Sequence, residues 1–93
     1  MTLVVEELEG VVRFSGQMDL STIRSLTEIL SARRPPVLLD LANVDRLDSA
    51  ALLVLLRAHD RRRDDGEVFR LIAASSVVRR VIEAAGVAPK LLP

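Results

Sequence analysis

Apolar residues along the chain switch between two spacings, one suited to strands and one to helices. Leu3–Leu8 and Val11–Ser15 are short apolar or β-branched segments around Glu9-Gly10, and they predict a hairpin. Gly16 is expected to break the second strand. Ile23, Leu26, Ile29 and Leu30 then recur at helical spacing with Arg24, Thr27 and Glu28 between them, and Ser21 or Thr22 is placed to cap that helix. Arg33-Arg34-Pro35-Pro36 ends it, because proline lacks the amide and restrains the residue before it. Val37–Leu41 is an uninterrupted apolar run apart from Asp40, as expected of a buried central strand. Asn43–Leu47 reads as a loop.

A second helix is predicted from near Ser49 to about Asp64, with Gly66 as its stop. Its first two turns are almost wholly apolar and its end is densely charged. Leu52, Leu55 and Leu56 supply the core stripe, which leaves Leu53 towards the side. Val68–Ala73 predicts another strand. Ser75 or Ser76 can cap a third helix over Val77–Ala85, with Gly86 at its end. The resulting order is β-β-α-β-α-β-α. Helical crossovers between strands imply parallel pairing beside the opening hairpin. The expectation is one α/β domain over residues 1–93, a mixed sheet of about four strands with three helices packed largely on one face. Leu39, Leu52, Leu55, Leu56, Leu71 and Val81 are the expected core.

Composition removes several function classes. Hydrophobic residues make up 49% of the 93 and aromatics only 2%, so the core is aliphatic. The formal net charge of zero argues against nucleic acid as the main ligand. Arg61-Arg62-Arg63 is flanked by Asp60, Asp64 and Asp65 and has no aromatic stacking platform, so it reads as a solvated helix end. The absence of cysteine excludes thiolate metal sites and cysteine nucleophiles. His59, the only histidine, lacks a convincing co-ligand, so no metal is expected. Asp40 and Asp48 have no second catalytic element beside them, and no catalytic residue is assigned. There is no glycine-rich phosphate loop, and no cofactor is expected. The longest near-continuous apolar run, Ala50–Leu56, is far short of the roughly 20 residues a membrane span needs. No secretory signal is visible, so no direct membrane insertion and a cytoplasmic location are expected.

Four blocks, in order, carry a resemblance. Val37-Leu38-Leu39-Asp40-Leu41-Ala42-Asn43-Val44 leads into Leu47-Asp48-Ser49-Ala50-Ala51-Leu52. Ser15-Gly16-Gln17-Met18-Asp19 precedes the first helix, and the closing block is Ser76-Val77-Val78-Arg79-Arg80-Val81-Ile82-Glu83-Ala84-Ala85-Gly86-Val87. Together they resemble the STAS domain family. Its best-studied members are bacterial anti-sigma factor antagonists, which regulate transcription by binding an anti-sigma kinase. The kinase phosphorylates the serine after the aspartate and so breaks the complex.

The resemblance implies a non-catalytic protein in which Ser49 is the phosphorylation site. Partner contacts are expected at Asp19, Asp48, Ser49 and Ala50, and Leu53, four residues after Ser49 on the same helix face, is expected to join them as an exposed apolar residue. Three positions depart from the family pattern. Ala50 stands where a second Ser or Thr is common, Ala51 replaces the usual Gly, and Leu53 replaces a Gly or Ala. A second branch shares the fold, the small STAS subunits of phospholipid-transport ABC complexes, and Lys90-Leu91-Leu92-Pro93 resembles endings found there. The partner is therefore an anti-sigma factor kinase or, in the alternative, an ABC ATPase.

Overall fold

A computed structural model describes residues 3–93. The chain runs β1 (Leu3–Leu8), β2 (Val11–Met18), a 3-10 turn (Leu20–Thr22), α1 (Ile23–Ala32), β3 (Val37–Leu47), α2 (Ser49–Asp64), β4 (Phe69–Ala74), α3 (Ser76–Ala84) and α4 (Ala88–Leu91). The strands form one sheet in the order β1-β2-β3-β4. β1 and β2 are antiparallel, whereas β2–β3 and β3–β4 are parallel. The mixed α/β sheet expected from the spacing is present, together with the short α4 and the 3-10 turn that the spacing did not indicate.

The hairpin turn is made by Glu9 and Gly10, both at positive φ (52° and 83°). Two such residues in a row give a turn whose twist matches that of the flanking strands. Gly16 does not end β2. It sits inside the strand at φ 104°, a conformation that favours glycine. The parallel register with β3 shifts on either side of it, between Arg13 and Ser15 and between Gly16 and Gln17. The irregularity lets β2 continue to Met18 and carries its partner with it. Ser15, Gly16, Gln17 and Met18 pair with Asn43, Val44, Arg46 and Leu47. Asn43–Leu47 is therefore the second half of β3 and not a loop, and Asp40 lies inside the strand. Asp40 accepts the Ala42 amide at 2.9 Å and Arg13 Nε at 3.2 Å.

Apolar side chains fill the space between one sheet face and the helices. Val12, Phe14, Val37, Leu39, Leu41, Phe69 and Leu71 meet Leu26 and Leu30 of α1, Leu52 and Leu55 of α2, and Val78 and Ile82 of α3. Leu56 and Val81 are only partly buried at the margin of this core, contrary to expectation. The inward stripe of α2 is Ala51, Leu52, Leu55, Ala58, His59 and Arg62. That stripe keeps the helical period by running past the leucines into polar residues. Leu56 is rotated off it.

Arg62 is consequently no solvated helix end. It is buried, and its Nη2 donates to the carbonyls of Leu30 (2.8 Å) and Arg33 (2.7 Å) while Nη1 meets Glu67 at 3.3 Å. These bonds occupy carbonyls at the end of α1, which has no residue left to bond them within the helix. His59 is also buried, edge-on to Phe69 with ring centroids 6.0 Å apart. Ser75 caps α3. Its Oγ accepts the Val78 amide at 3.2 Å and donates to the Val44 carbonyl at 2.5 Å, fixing α3 to β3. Among the described residues, no helix is long and apolar enough to cross a membrane.

Candidate functional site

The end of the sheet where β2 and β3 finish brings two separate sequence blocks together. The chain leaves β2 at Met18 and leaves β3 at Leu47, which are register partners. The Asp48 amide donates to the Met18 carbonyl at 3.1 Å. The two exits are thus held side by side, with the 3-10 turn beginning at Leu20 on one and α2 beginning at Ser49 on the other.

Asp48 joins them through its carboxylate. Oδ1 accepts the Ala51 amide at 2.9 Å, which makes Asp48 the N-cap of α2. Oδ2 accepts the Leu20 amide, also at 2.9 Å. Asp48, and not Ser49, therefore caps α2. Ser49 is the first helical residue, exposed, at a point where helix amides face outward. Truncating Asp48 to alanine removes the cap and the tie to the turn together. We expect a loss of about 1–2 kcal/mol in a denaturant titration, the upper part of the capping range. Ser49→Ala, which removes no capping bond, should lose less than about 0.5 kcal/mol.

Asp19 plays the matching role in the turn. Its Oδ1 accepts both the amide (2.9 Å) and the hydroxyl (2.5 Å) of Ser21, and the Thr22 hydroxyl accepts the Asp19 amide at 3.1 Å. This reciprocal pair is a capping box. Asp19 is only 6% exposed, and Arg46 Nε approaches its Oδ2 at 3.6 Å. The Ser21 hydroxyl, opposed by burial and aided by the Ser21 and Thr22 amides and by Arg46, holds the Asp19 carboxyl below its ordinary value of 3.8. A depressed folded value means stability that is present above the unfolded pKa and lost as pH falls through the folded one. Asp19→Asn should therefore flatten the acid limb of stability below about pH 4, measured by thermal melts from neutral to acidic pH. An unchanged acid limb would remove Asp19 from that dependence.

Around these fixed elements sit the exposed groups. Leu20 is 72% exposed and Leu53 45%, unusual values for leucines in a chain with so full a core. Ser49 and Leu53 are four residues apart on α2 and share a face. Ala50 lies half-buried beside Ser49. The structure thus gathers Asp48, Ser49, Ala50 and Leu53 at the start of α2, with Asp19 underneath as a buried support. The sequence reading missed Leu20. Its only signal was an apolar residue directly after the Asp19 cap, outside the helical spacing of α1. Among the described residues, no cluster of potential metal ligands is present.

A four-stranded mixed sheet with an aspartate-capped α2 presenting a serine is the arrangement of a STAS domain. The chain belongs to that family: the family model described as "Mlab, STAS domain" matches residues 1–93. Among solved structures it is similar to an anti-sigma factor antagonist from Mycobacterium paratuberculosis. That match has 28% identity and a TM-score of 0.79, covering 99% of this chain and 85% of the other. It is also similar to the anti-sigma factor antagonist SpoIIAA in its unphosphorylated form (17% identity, TM-score 0.77, 98% of this chain and 86% of that one). A more distant likeness in fold is to Mglu (22% identity, TM-score 0.61, 80% of this chain and 20% of that one). A search of curated proteins found no match. The fold is that of the anti-sigma factor antagonists.

Proposed function

We propose that this chain is an anti-sigma factor antagonist-like regulator that binds a kinase-type anti-sigma factor and is switched by phosphorylation at Ser49. The observation that carries the reading is the exposed Ser49 at the start of α2, bracketed by the exposed Leu20 and Leu53. The similarity to antagonist structures over nearly the whole chain supports it. Leu20, Ala50 and Leu53 supply the apolar part of the footprint. Asp48 and Asp19 hold that footprint in shape from below. The protein acts in the cytoplasm and catalyses no reaction in this scheme.

The chemistry suits a reversible switch. A phosphate on Ser49 lies in the positive field at the start of α2, so the fold accepts it. A partner surface packed on Leu53 does not, because it must desolvate roughly −1.5 to −2 of charge beside Asp48. Modification leaves the domain folded and removes the partner.

Pull-down with the tagged domain, compared with a Leu53→Asp variant, tests the reading. An anti-sigma kinase should be retained by the native protein and lost by the variant, since an aspartate places an unpaired charge in an apolar contact. Recovery of an ABC ATPase in its place would transfer the same surface to the transport-subunit alternative. Equal recovery on both proteins would remove Leu53 from the footprint.

A further inference from the structure

The helices cover one face of the sheet, and the other face is open. Val4 (50% exposed), Leu8 and Ile72 (42%) stand on it, with Val11 and Leu38 half-buried between them. Four charged residues share the face: Glu6, Arg13, Asp40 and Arg70. Their signs cancel. We propose that this face is the interface of a symmetric dimer, in which two copies of the chain stack sheet on sheet.

Charge complementarity points to a second copy. Glu6, Arg13 and Asp40 are successive register partners across β1, β2 and β3. In the next row along, Leu8, Val11, Leu38 and Arg70 are partners across all four strands. A two-fold axis parallel to the strands, passing between β2 and β3, lays β2 of one copy over β3 of the other and β1 over β4. Because Arg13 and Asp40 lie at one height, each arginine then faces the aspartate of the opposite copy. Val11 likewise faces Leu38. At the outer strands Leu8 faces Arg70 of the opposite copy and Glu6 faces Ala73. A partner face carrying one sign of charge would repel either Arg13 or Asp40, whereas a second copy matches both of these central charges.

The bonding within one chain leaves room for these contacts. Arg13 reaches Asp40 through Nε alone, so its terminal nitrogens have no bonded partner among the described residues. The Asp40 oxygens each hold one bond, from Arg13 and from the Ala42 amide, and each can accept another. Neither Glu6 nor Arg70 is in an ion pair among the described residues. A concavity of about 390 Å³ lined by Leu8, Glu9, Val11, Arg13, Asp40 and Ile72 opens on the same face. Stacked sheets pack about 10 Å apart with their strands nearly aligned, which suits side chains meeting end to end across the axis.

The interface is small. Four strands about 4.8 Å apart and about six residues long cover roughly 400 Å² in plan. That is about half of the ~800 Å² per partner of a standard interface, so the dimer is weak and depends on concentration. The start of α2 lies on the helical side, and both copies of Ser49 remain accessible. The proposal does not depend on what binds there.

Sedimentation equilibrium over roughly 10 μM to 1 mM, the range suited to an interface of this size, tests it. The expected result is a reversible rise in mean mass from one chain towards two. Ile72→Glu, an exposed substitution that leaves the core intact and sets a second carboxylate against Glu6 of the opposite copy, should weaken association at least tenfold. Arg13→Asp should do the same, and the double variant Arg13→Asp/Asp40→Arg should restore it, because both the internal and the crossed pairs re-form with signs exchanged. Circular dichroism establishes that each variant is folded, and Ile72→Glu decides the matter if Arg13→Asp is not. A single-chain mass throughout the range overturns the proposal. So does a dimer that Ile72→Glu leaves unchanged.

Discussion

Ser49→Asp is expected to weaken binding of the kinase partner about 100-fold while leaving the domain as stable as before. The stability half follows from the cap. Asp48 accepts the Ala51 amide and the Leu20 amide, so nothing that anchors α2 passes through the Ser49 side chain. An aspartate at the first helical position even gains from the helix dipole, by about 0.3–1 kcal/mol, which offsets repulsion from Asp48. The binding half follows from desolvation. A carboxylate placed between Asp48 and Leu53 must give up water when the partner closes over it. A cost of about 2.7 kcal/mol corresponds to the stated 100-fold.

Ser49→Ala is the necessary control, since it cannot be phosphorylated and keeps Leu20, Ala50 and Leu53 in place. Calorimetric titration of both variants against the recovered kinase should separate them. Equal affinities for the two would take Ser49 out of the switch. Normal binding by Ser49→Asp with loss in Leu53→Asp would leave a docking surface without phosphoregulation.

The second large effect concerns the core. Leu55 is fully buried in the core that the helices share with the sheet. Leu55→Ala should cost about 2–5 kcal/mol, combining lost transfer energy with the cavity left behind. Against a total stability of about 5–15 kcal/mol that is a large fraction, and the melting temperature should fall by about 10 °C or more. Leu56→Ala, one residue on, removes a half-buried side chain and should cost less than half as much. The pair is read from urea titrations on the same day with the same slope. A loss below about 0.5 kcal/mol for Leu55→Ala would show that the inward face of α2 lies elsewhere.

The contrast between those two leucines shows where sequence reading succeeds and where it stops. Leu52–Leu56 is apolar at every position, so the run itself carries no period. The inward direction is fixed only by Ala58, His59 and Arg62 further along, and two of those are polar. A buried arginine is legible only once the Leu30 and Arg33 carbonyls are known to lie within its reach. The second half of β3 was obscured for a related reason. Its buried residues, Leu41, Val44 and Leu47, are three apart, because the strand follows the irregular register around Gly16. A search for alternation finds none there.

The candidate site was more legible. Asp48-Ser49 marked the start of α2 to within one residue, and the geometry assigns the cap to Asp48. Leu53 is exposed as expected, although the stripe from which it was set apart wrongly included Leu56. Leu20 was not found, because its position depends on a hydrogen bond to Asp48 across 28 residues of sequence.

That long-range bond bears on how the protein is made. During synthesis the β1–β2 hairpin can form as soon as it emerges, since its contacts are local. The turn at Leu20 cannot acquire its Asp48 partner until β3 has been added alongside β2. α2 in turn lacks part of its seat until β4 has followed. The end of the molecule that carries Ser49 and Leu53 is therefore completed late, after its own residues have left the ribosome. A nascent chain halted before β4 would display them without the support that gives them shape.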